Sequence, residues 1–225
     1  MARQDDTRQG ALDEKGVQAR LVEAAEVLFC ERGFNETSVR DIAGVADCNV
    51  ASVNYYFGGK ENLYVEVWRR RLAGMRDARL AGIARVMSSQ GQPELEDLLR
   101  SYAQSFVEPL VCGSHGCQFV ILMAREMIDP HLPRDMFVNE MVGPVMSALG
   151  EALMTICPWL QRSHIRLVIL SVVGQLMHSV GAKRMFEEGS NSELSDLDLG
   201  EMVEHVVKFS AAGIRAYADG TGEWA

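Results

Sequence analysis

Apolar residues recur at three- and four-residue spacing along almost the whole of this chain, and that periodicity restricts it to an all-α fold. Leu21, Ala24, Ala25, Leu28 and Phe29 share one face of a helix expected over 17–32, and Gly33 supplies its stop. The same spacing predicts longer helices over 60–87, 94–111, 118–128, 133–156, 163–186 and 197–218, with neither strand-like alternation nor an internal repeat. A chain of 225 residues, 48% of them hydrophobic and 24% charged, can pack one large domain or two smaller ones. The longest apolar run, 165–182, contains Arg166, Gln175 and His178, so it reads as a buried helix and not a membrane span. The polar opening "MARQDDTRQGAL" lacks the apolar stretch of a signal peptide and reads as a loose arm over 1–14. Five cysteines in no regular framework suit a reducing, cytoplasmic compartment.

Charge divides the chain unevenly. Residues 1–85 hold 13 Lys/Arg and 13 Asp/Glu, whereas 86–225 hold 9 and 18 and so carry the entire net charge of −9. An acidic body excludes a protein that coats nucleic acid everywhere, and a neutral front end is compatible with a reader that uses a few placed basic groups.

Between Gly33 and the fourth helix the elements become short. Thr37 or Ser38 is expected to cap a second helix that turns Val39, Ile42 and Ala43 inward, and with Ser38 as the cap Asp41 completes a capping box. After the turn "GVADC", Asn49 is expected to cap a third helix over 50–56, which "FGG" ends. Helix, tight turn and short helix form the helix-turn-helix layout. Seven residues at about 1.5 Å each give a rod about 10 Å long, matched to a major groove about 12 Å wide. Val53, Tyr56 and Phe57 turn partly inward, leaving Val50, Ala51, Ser52, Asn54 and Tyr55 to face outward. Asn and Ser offer hydrogen bonds to base edges, Val and Ala touch thymine methyls, and tyrosine phenols suit phosphate oxygens. Helix N-termini near Thr37 and Ser38, with Arg40 and Lys60, add candidate phosphate contacts. The DNA-contacting set is therefore Thr37, Ser38, Arg40, Asn49, Val50, Ala51, Ser52, Asn54, Tyr55, Tyr56 and Lys60. The run Arg69–Arg71 is expected to be a solvated face of the fourth helix.

The segment "GFNETSVRDIAGVADCNVASVNYYFGGKENLY" resembles the DNA-binding head of the TetR/AcrR family of bacterial transcription regulators, with Tyr56, Phe57, Lys60, Glu61 and Leu63 in the places of the family's closing motif. Asn49 replaces the usual Ser, Ala51 the common Gly, Ser52 the common Thr, and Asn54 the most frequent Tyr. The body segment "LMAREMIDPHLPRDMFVNEMVGPVMSAL" resembles the CecR-like branch through its Arg-Glu, Asp-Pro and Gly-Pro pairs. The resemblance implies a homodimer on a palindromic double-stranded DNA operator, usually a repressor, released by a small molecule bound in the body. It implies no enzymatic activity. The domains expected are a head over 15–62 and a ligand-binding and dimerisation body over 63–225, linked by the helix from Lys60.

Within the body, the candidate pocket residues are Phe106, Met123, Arg125, Met127, Met146 and His178. The methionines suit an adaptable apolar site, and the acidity of the body favours a neutral or cationic hydrophobic effector. Arg125 and Glu126 are neighbours in an apolar helix and read first as members of structural pairs. The last two helices are too apolar to be solvated all round, and Ser210, Ala211, Ala212 and Gly213 permit close approach. Leu170, Val173, Met177, Val206, Phe209, Ala212 and Gly213 are the candidate dimer interface, an isologous four-helix contact. The segment "CGSHGC" reads as a loop with incidental thiols, and no cofactor is expected. Its rival reading is a metal or thiol-redox sensor using Cys112, His115 and Cys117, with a Cys/His enzyme as a remote third.

Overall fold

The computed structural model describes residues 2–111, 113–187 and 198–218, with side chains described at 15–109, 119, 121–183 and 198–218. Among the described residues every regular element is helical. They are α1 (Ala2–Arg32), α2 (Val39–Val45), α3 (Ala51–Phe57), α4 (Lys60–Met87), α5 (Leu95–Val111), α6 (Gly113–Ile128), α7 (Gly143–Ile156, entered through a π-turn at Val138–Val142), α8 (Arg162–Glu187) and α9 (Leu199–Ala216). The expected all-α class is thus observed. α1 is longer than its apolar pattern, running over the residues read as an arm. The backbone of 113–117, read as a loop, is the first turn of α6, while Cys112 and the side chains of His115 and Cys117 lie outside the described residues.

The chain forms two compact units. The first comprises Met1–Leu72 with Gly113–Met136, and the second Ala73–Cys112 with Phe137–Ala225. α4 is continuous from Lys60 to Met87 and contributes to both.

In the first unit, Leu21, Ala25, Leu28 and Phe29 of α1 are buried with Ile42, Val53, Leu63, Tyr64, Val67, Trp68, Phe119 and Leu122. Phe29 meets Tyr64 edge-on at 4.9 Å between centroids, and Trp68 meets Phe119 at 5.1 Å, within the range at which aromatic rings attract. Gly33 ends α1 with φ +84°, a left-handed conformation that favours glycine, and the Arg125 guanidinium lies close by, its Nη1 2.7 Å from where a Cβ would stand. In the second unit, α9 packs on α5 and α8, and α8 on α7. Val168, Ile169, Val172, Leu176 and Val180 bury one stripe of α8, whereas Leu167, Leu170 and Met177 remain exposed. The long apolar run is therefore half-buried, not enclosed as its composition suggested, and by length and hydropathy alone α8 would be long enough to cross a membrane.

Candidate nucleic-acid interface

Local chemistry sets the two short helices. Ser38 caps α2: its Oγ accepts from Asp41 N at 3.1 Å, and the Asp41 carboxylate accepts from Ser38 N at 3.1 Å, completing the expected capping box. The hydrogen bonds from Ser38 hold the Asp41 carboxyl below its ordinary value. Asn49 Oδ1 accepts from Ala51 N at 2.8 Å, so Asn49 performs the capping bond although α3 begins two residues later. Gly58, at φ +75°, closes α3 by donating to Asn54 O at 2.9 Å.

Val53 is fully buried, and that single anchor fixes the rotation of α3. Val50, Ala51, Asn54 and Tyr55 consequently face outward, Tyr55 with 76% of its surface exposed. Ser52 and Tyr56 are half-buried, and the Tyr56 ring meets that of Tyr55 edge-on at 4.9 Å. Ser38, Arg40 and Asn49 are exposed. The outward set thus offers two amides, a hydroxyl, a guanidinium, a fully outward phenol with a second half-buried beside it, and two aliphatic side chains.

Two residues of the expected contact set have other work. Thr37 is buried; its hydroxyl lies 2.8 Å from Gly33 O and 3.2 Å from Leu28 O, tying the α1–α2 turn to the end of α1. A hydroxyl held there cannot reach DNA. Lys60 Nζ donates to Phe34 O at 3.0 Å and Thr37 O at 3.1 Å, and lies 4.1 Å from the Phe34 ring centroid. Its ammonium clamps the α1–α2 turn to the start of α4, which corrects the phosphate role read from its position. The arginine run also divides. Arg69 and Arg70 pair with Glu66 at the surface, but half-buried Arg71 pairs with Glu26 of α1 and sits 5.9 Å from the Phe119 ring.

The same unit contains a latch that the sequence did not reveal. Tyr64 Oη donates to Glu126 Oε2 at 2.8 Å, while Glu126 Oε1 accepts from the backbone of His131 and Leu132, each at 2.7 Å. Burial, with a smaller contribution from this carboxylate, pushes the Tyr64 phenol well above its usual value, so it remains a donor. The His131 ring lies against Phe34 at 4.1 Å, Asn35 Nδ2 donates to Asp129 at 2.8 Å, and Arg125 Nη2 donates to Glu31 O at 3.1 Å. α6 and the loop after it are thereby held to α1, α4 and the α1–α2 turn. Arg125 and Glu126 are both structural members, as first expected, but of different pairs. The only sequence cues to the latch were the Arg-Glu and Asp-Pro pairs of the family resemblance.

Of the six expected pocket residues, two are exposed. Met127 is 84% exposed and His178 is exposed, so neither lines an enclosed site; both sit on outward helical faces. Arg125 is committed to the end of α1. Phe106 is buried in the second unit, and Met123 and Met146 are half-buried on α6 and α7. Of the interface candidates, Leu170 (60%) and Phe209 (64%) are exposed with Met177, Ala212 and Gly213, and Val173 is half-buried. Val206 points into the α9–α5–α8 core and leaves the interface set. A groove of about 220 Å³ runs between α8 and α9, lined by Leu167, Ser171, Gln175, Phe209, Gly213 and Tyr217 among others.

Comparison with known proteins agrees with this geometry. The family model for bacterial regulatory proteins of the tetR family matches residues 21–67, and that for the tetracyclin repressor-like C-terminal domain matches 100–213, about half the chain. The HTH-type transcriptional dual regulator CecR of Shigella flexneri is 29% identical over 146 residues, 62% of this chain and 65% of its own length. The probable HTH-type regulator YttP of Bacillus subtilis is 52% identical over 44 residues, 20% of this chain and 21% of its own. The chain thus spans less than two thirds of the length of either relative. Among solved structures, a TetR-family regulator from Mesorhizobium loti superposes with a TM-score of 0.66 at 18% identity, over 90% of this chain and 96% of that one. FadR of Bacillus subtilis, solved in complex with stearoyl-CoA, gives 0.65 at 17% identity, over 87% and 98%. With a helix-turn-helix in the first unit and family models matching both the front and the body, this chain belongs to the TetR family of bacterial transcription regulators.

Proposed function

We propose that the chain is a homodimeric, ligand-responsive regulator, acting in the cytoplasm as a repressor on a palindromic operator. The observation that carries this reading is the outward face of α3. Val50, at its start, and Ala51, Asn54 and Tyr55 are exposed on a seven-residue helix locked by Val53 and by the Asn49 and Gly58 ends. Asn54 is suited to reading a base edge, Val50 and Ala51 to thymine methyls, and Tyr55, Tyr56, Ser38 and Arg40 to phosphates. A second copy of the chain is the occupant that best suits the exposed apolar face of α8 and α9, where Gly213 and Ala212 admit close approach around Leu170 and Phe209. Two heads then meet half-sites about 34 Å apart, or at a multiple of that spacing.

A two-position α6 would give ligand control, because its end is latched to the helices that carry α3. A coupling of about 1–3 kcal/mol between effector and operator corresponds to roughly 5–150-fold in affinity. Latch contacts of the Tyr64–Glu126 kind are of that order.

Fluorescence anisotropy with DNA from the upstream intergenic region, across a salt series, tests the reading. The expected result is tight, salt-sensitive binding with a two-fold footprint, at two chains per site. Binding that is weak and indifferent to sequence on that fragment and on a randomised pool would overturn it.

A further inference from the structure

Arg79 lies in the second unit with 2% of its surface exposed, and among the described residues no carboxylate pairs with it. Among the same residues its Nε has no hydrogen-bond partner. Its Nη1 points at Met141 Sδ at 3.2 Å, and its guanidinium lies 4.4 Å from the centroid of the Phe106 ring. A thioether is a weak acceptor, and a ring face offsets only part of the cost of desolvating a cation. Other arginines of this unit differ: Arg100 meets Glu204 at 2.6 Å, and Arg215 meets Glu96 at 2.5 Å. A buried charge with no counter-charge is strongly destabilising, and an apolar residue of that size would pack there at lower cost.

The surroundings suit an amphiphile. Buried Tyr102 and Phe106 of α5 flank the guanidinium's helix face, and burial holds the Tyr102 phenol above its ordinary value, leaving it a neutral donor. One turn along α4, Gly82 leaves Ser101 and Ser105 close by; a Cβ there would stand 2.9 Å from Ser101 Oγ. Met141 belongs to the π-turn, which Arg76 also grips by donating to Glu140 O at 3.3 Å. π-turns recur at functional sites, and a methionine side chain moves aside readily.

We infer that Arg79 receives the anionic head of the effector, a carboxylate or a phosphate on an apolar tail, with Met141 holding its place until the ligand arrives. The inference builds on the ligand-responsive reading above and reverses the preference for neutral or cationic effectors drawn from net acidity. One buried cation outweighs a diffuse acidic surface because charge interactions strengthen as solvent is excluded.

The test uses the full chain and four probes below their micellar concentrations: dodecanoate, dodecyl phosphate, dodecanol and dodecylamine. Affinity is read from ligand-induced thermal stabilisation, and operator release separately by anisotropy. A hydrogen-bonded charge pair predicts that at least one anion binds about 10–100-fold more tightly than dodecanol. Arg79→Met abolishes that preference, and Arg79→Lys retains part of it. The proposal falls if dodecanol binds as well as both anions, if dodecylamine binds best, or if Arg79→Met keeps the anion preference; should that variant not fold, the wild-type ranking and Arg79→Lys still decide. Anions that bind through Arg79 without releasing DNA would sustain this site and instead overturn ligand control of the operator. Carboxylate and phosphate are distinguished by which probe binds more tightly.

Discussion

Replacing Lys60 by methionine separates a structural lysine from a phosphate-binding one. The change keeps most of the aliphatic stem and removes the ammonium that bonds Phe34 O at 3.0 Å and Thr37 O at 3.1 Å and lies over the Phe34 ring at 4.1 Å. A hydrogen bond to a charged group contributes about 1.5–3 kcal/mol when well buried. Lys60 is half-buried, so each bond is taken at the lower end and water is allowed to reach the freed carbonyls. A partly exposed cation–π contact adds about 0.5–1 kcal/mol. Two such bonds at about 1.5 kcal/mol each and the ring contact sum to roughly 3.5–4 kcal/mol before water re-solvates the freed carbonyls, large against a typical domain stability of about 5–15 kcal/mol. Urea unfolding of the full chain should show a lower midpoint with an unchanged slope. Operator affinity measured across a salt series, under conditions where the variant is folded, should keep the wild-type slope. A lysine bound to phosphate behaves oppositely: its loss lowers the salt slope by about one and leaves stability nearly unchanged. That second pattern would refute the clamp and return Lys60 to the DNA-facing set.

Thr37→Val should cost about 1–2 kcal/mol in urea unfolding, because it strips one buried hydroxyl from the carbonyls of Leu28 and Gly33, and should leave the operator logo unaltered. Asn54→Ala should relax preference at particular base pairs by about 1–3 kcal/mol, with Ser52→Ala weaker because Ser52 is half-buried; an unchanged logo in a selection experiment would remove both from the reader set. Glu96, bonded by both Arg215 Nη atoms at 2.5 and 2.7 Å, titrates below its ordinary value of 4.5. Its contribution is present above that pH and lost as pH falls through the lowered value, and it is at most about 1 kcal/mol because Arg215 is more than half exposed. Arg215→Gln should therefore lower stability at pH 7 slightly and converge with wild type at strongly acidic pH; a constant gap across the whole range would show that the pair is not the cause.

The latch between α6 and the elements carrying α3 gives the proposed switch a physical form. Glu126 accepts three hydrogen bonds, one from a side chain of α4 and two from the backbone after α6, so a displaced α6 cannot keep them all. Interactions that form together also break together, which favours two discrete positions over a continuous drift.

Local chemistry was readable directly from residue order. The helices follow from apolar spacing, the α2 cap from Ser38 and Asp41, the α3 cap from Asn49, and the α3 stop from Gly58, because each depends on groups within four residues of one another. The outward face of α3 was also legible, since placing Val53 inward on a helix fixes where Val50, Asn54 and Tyr55 must point. Tertiary structure decided the roles of the polar and charged residues. Lys60 meets carbonyls 23 and 26 residues away, Tyr64 a carboxylate 62 away, and Arg125 a carbonyl 94 away, distances at which sequence spacing carries no information. Arg79 shows the same limit in its sharpest form. Among the arginines of α4 it looks like one more solvated charge, and only the packing of Phe106, Tyr102 and Met141 around it determines that this cation is buried with no carboxylate partner among the described residues.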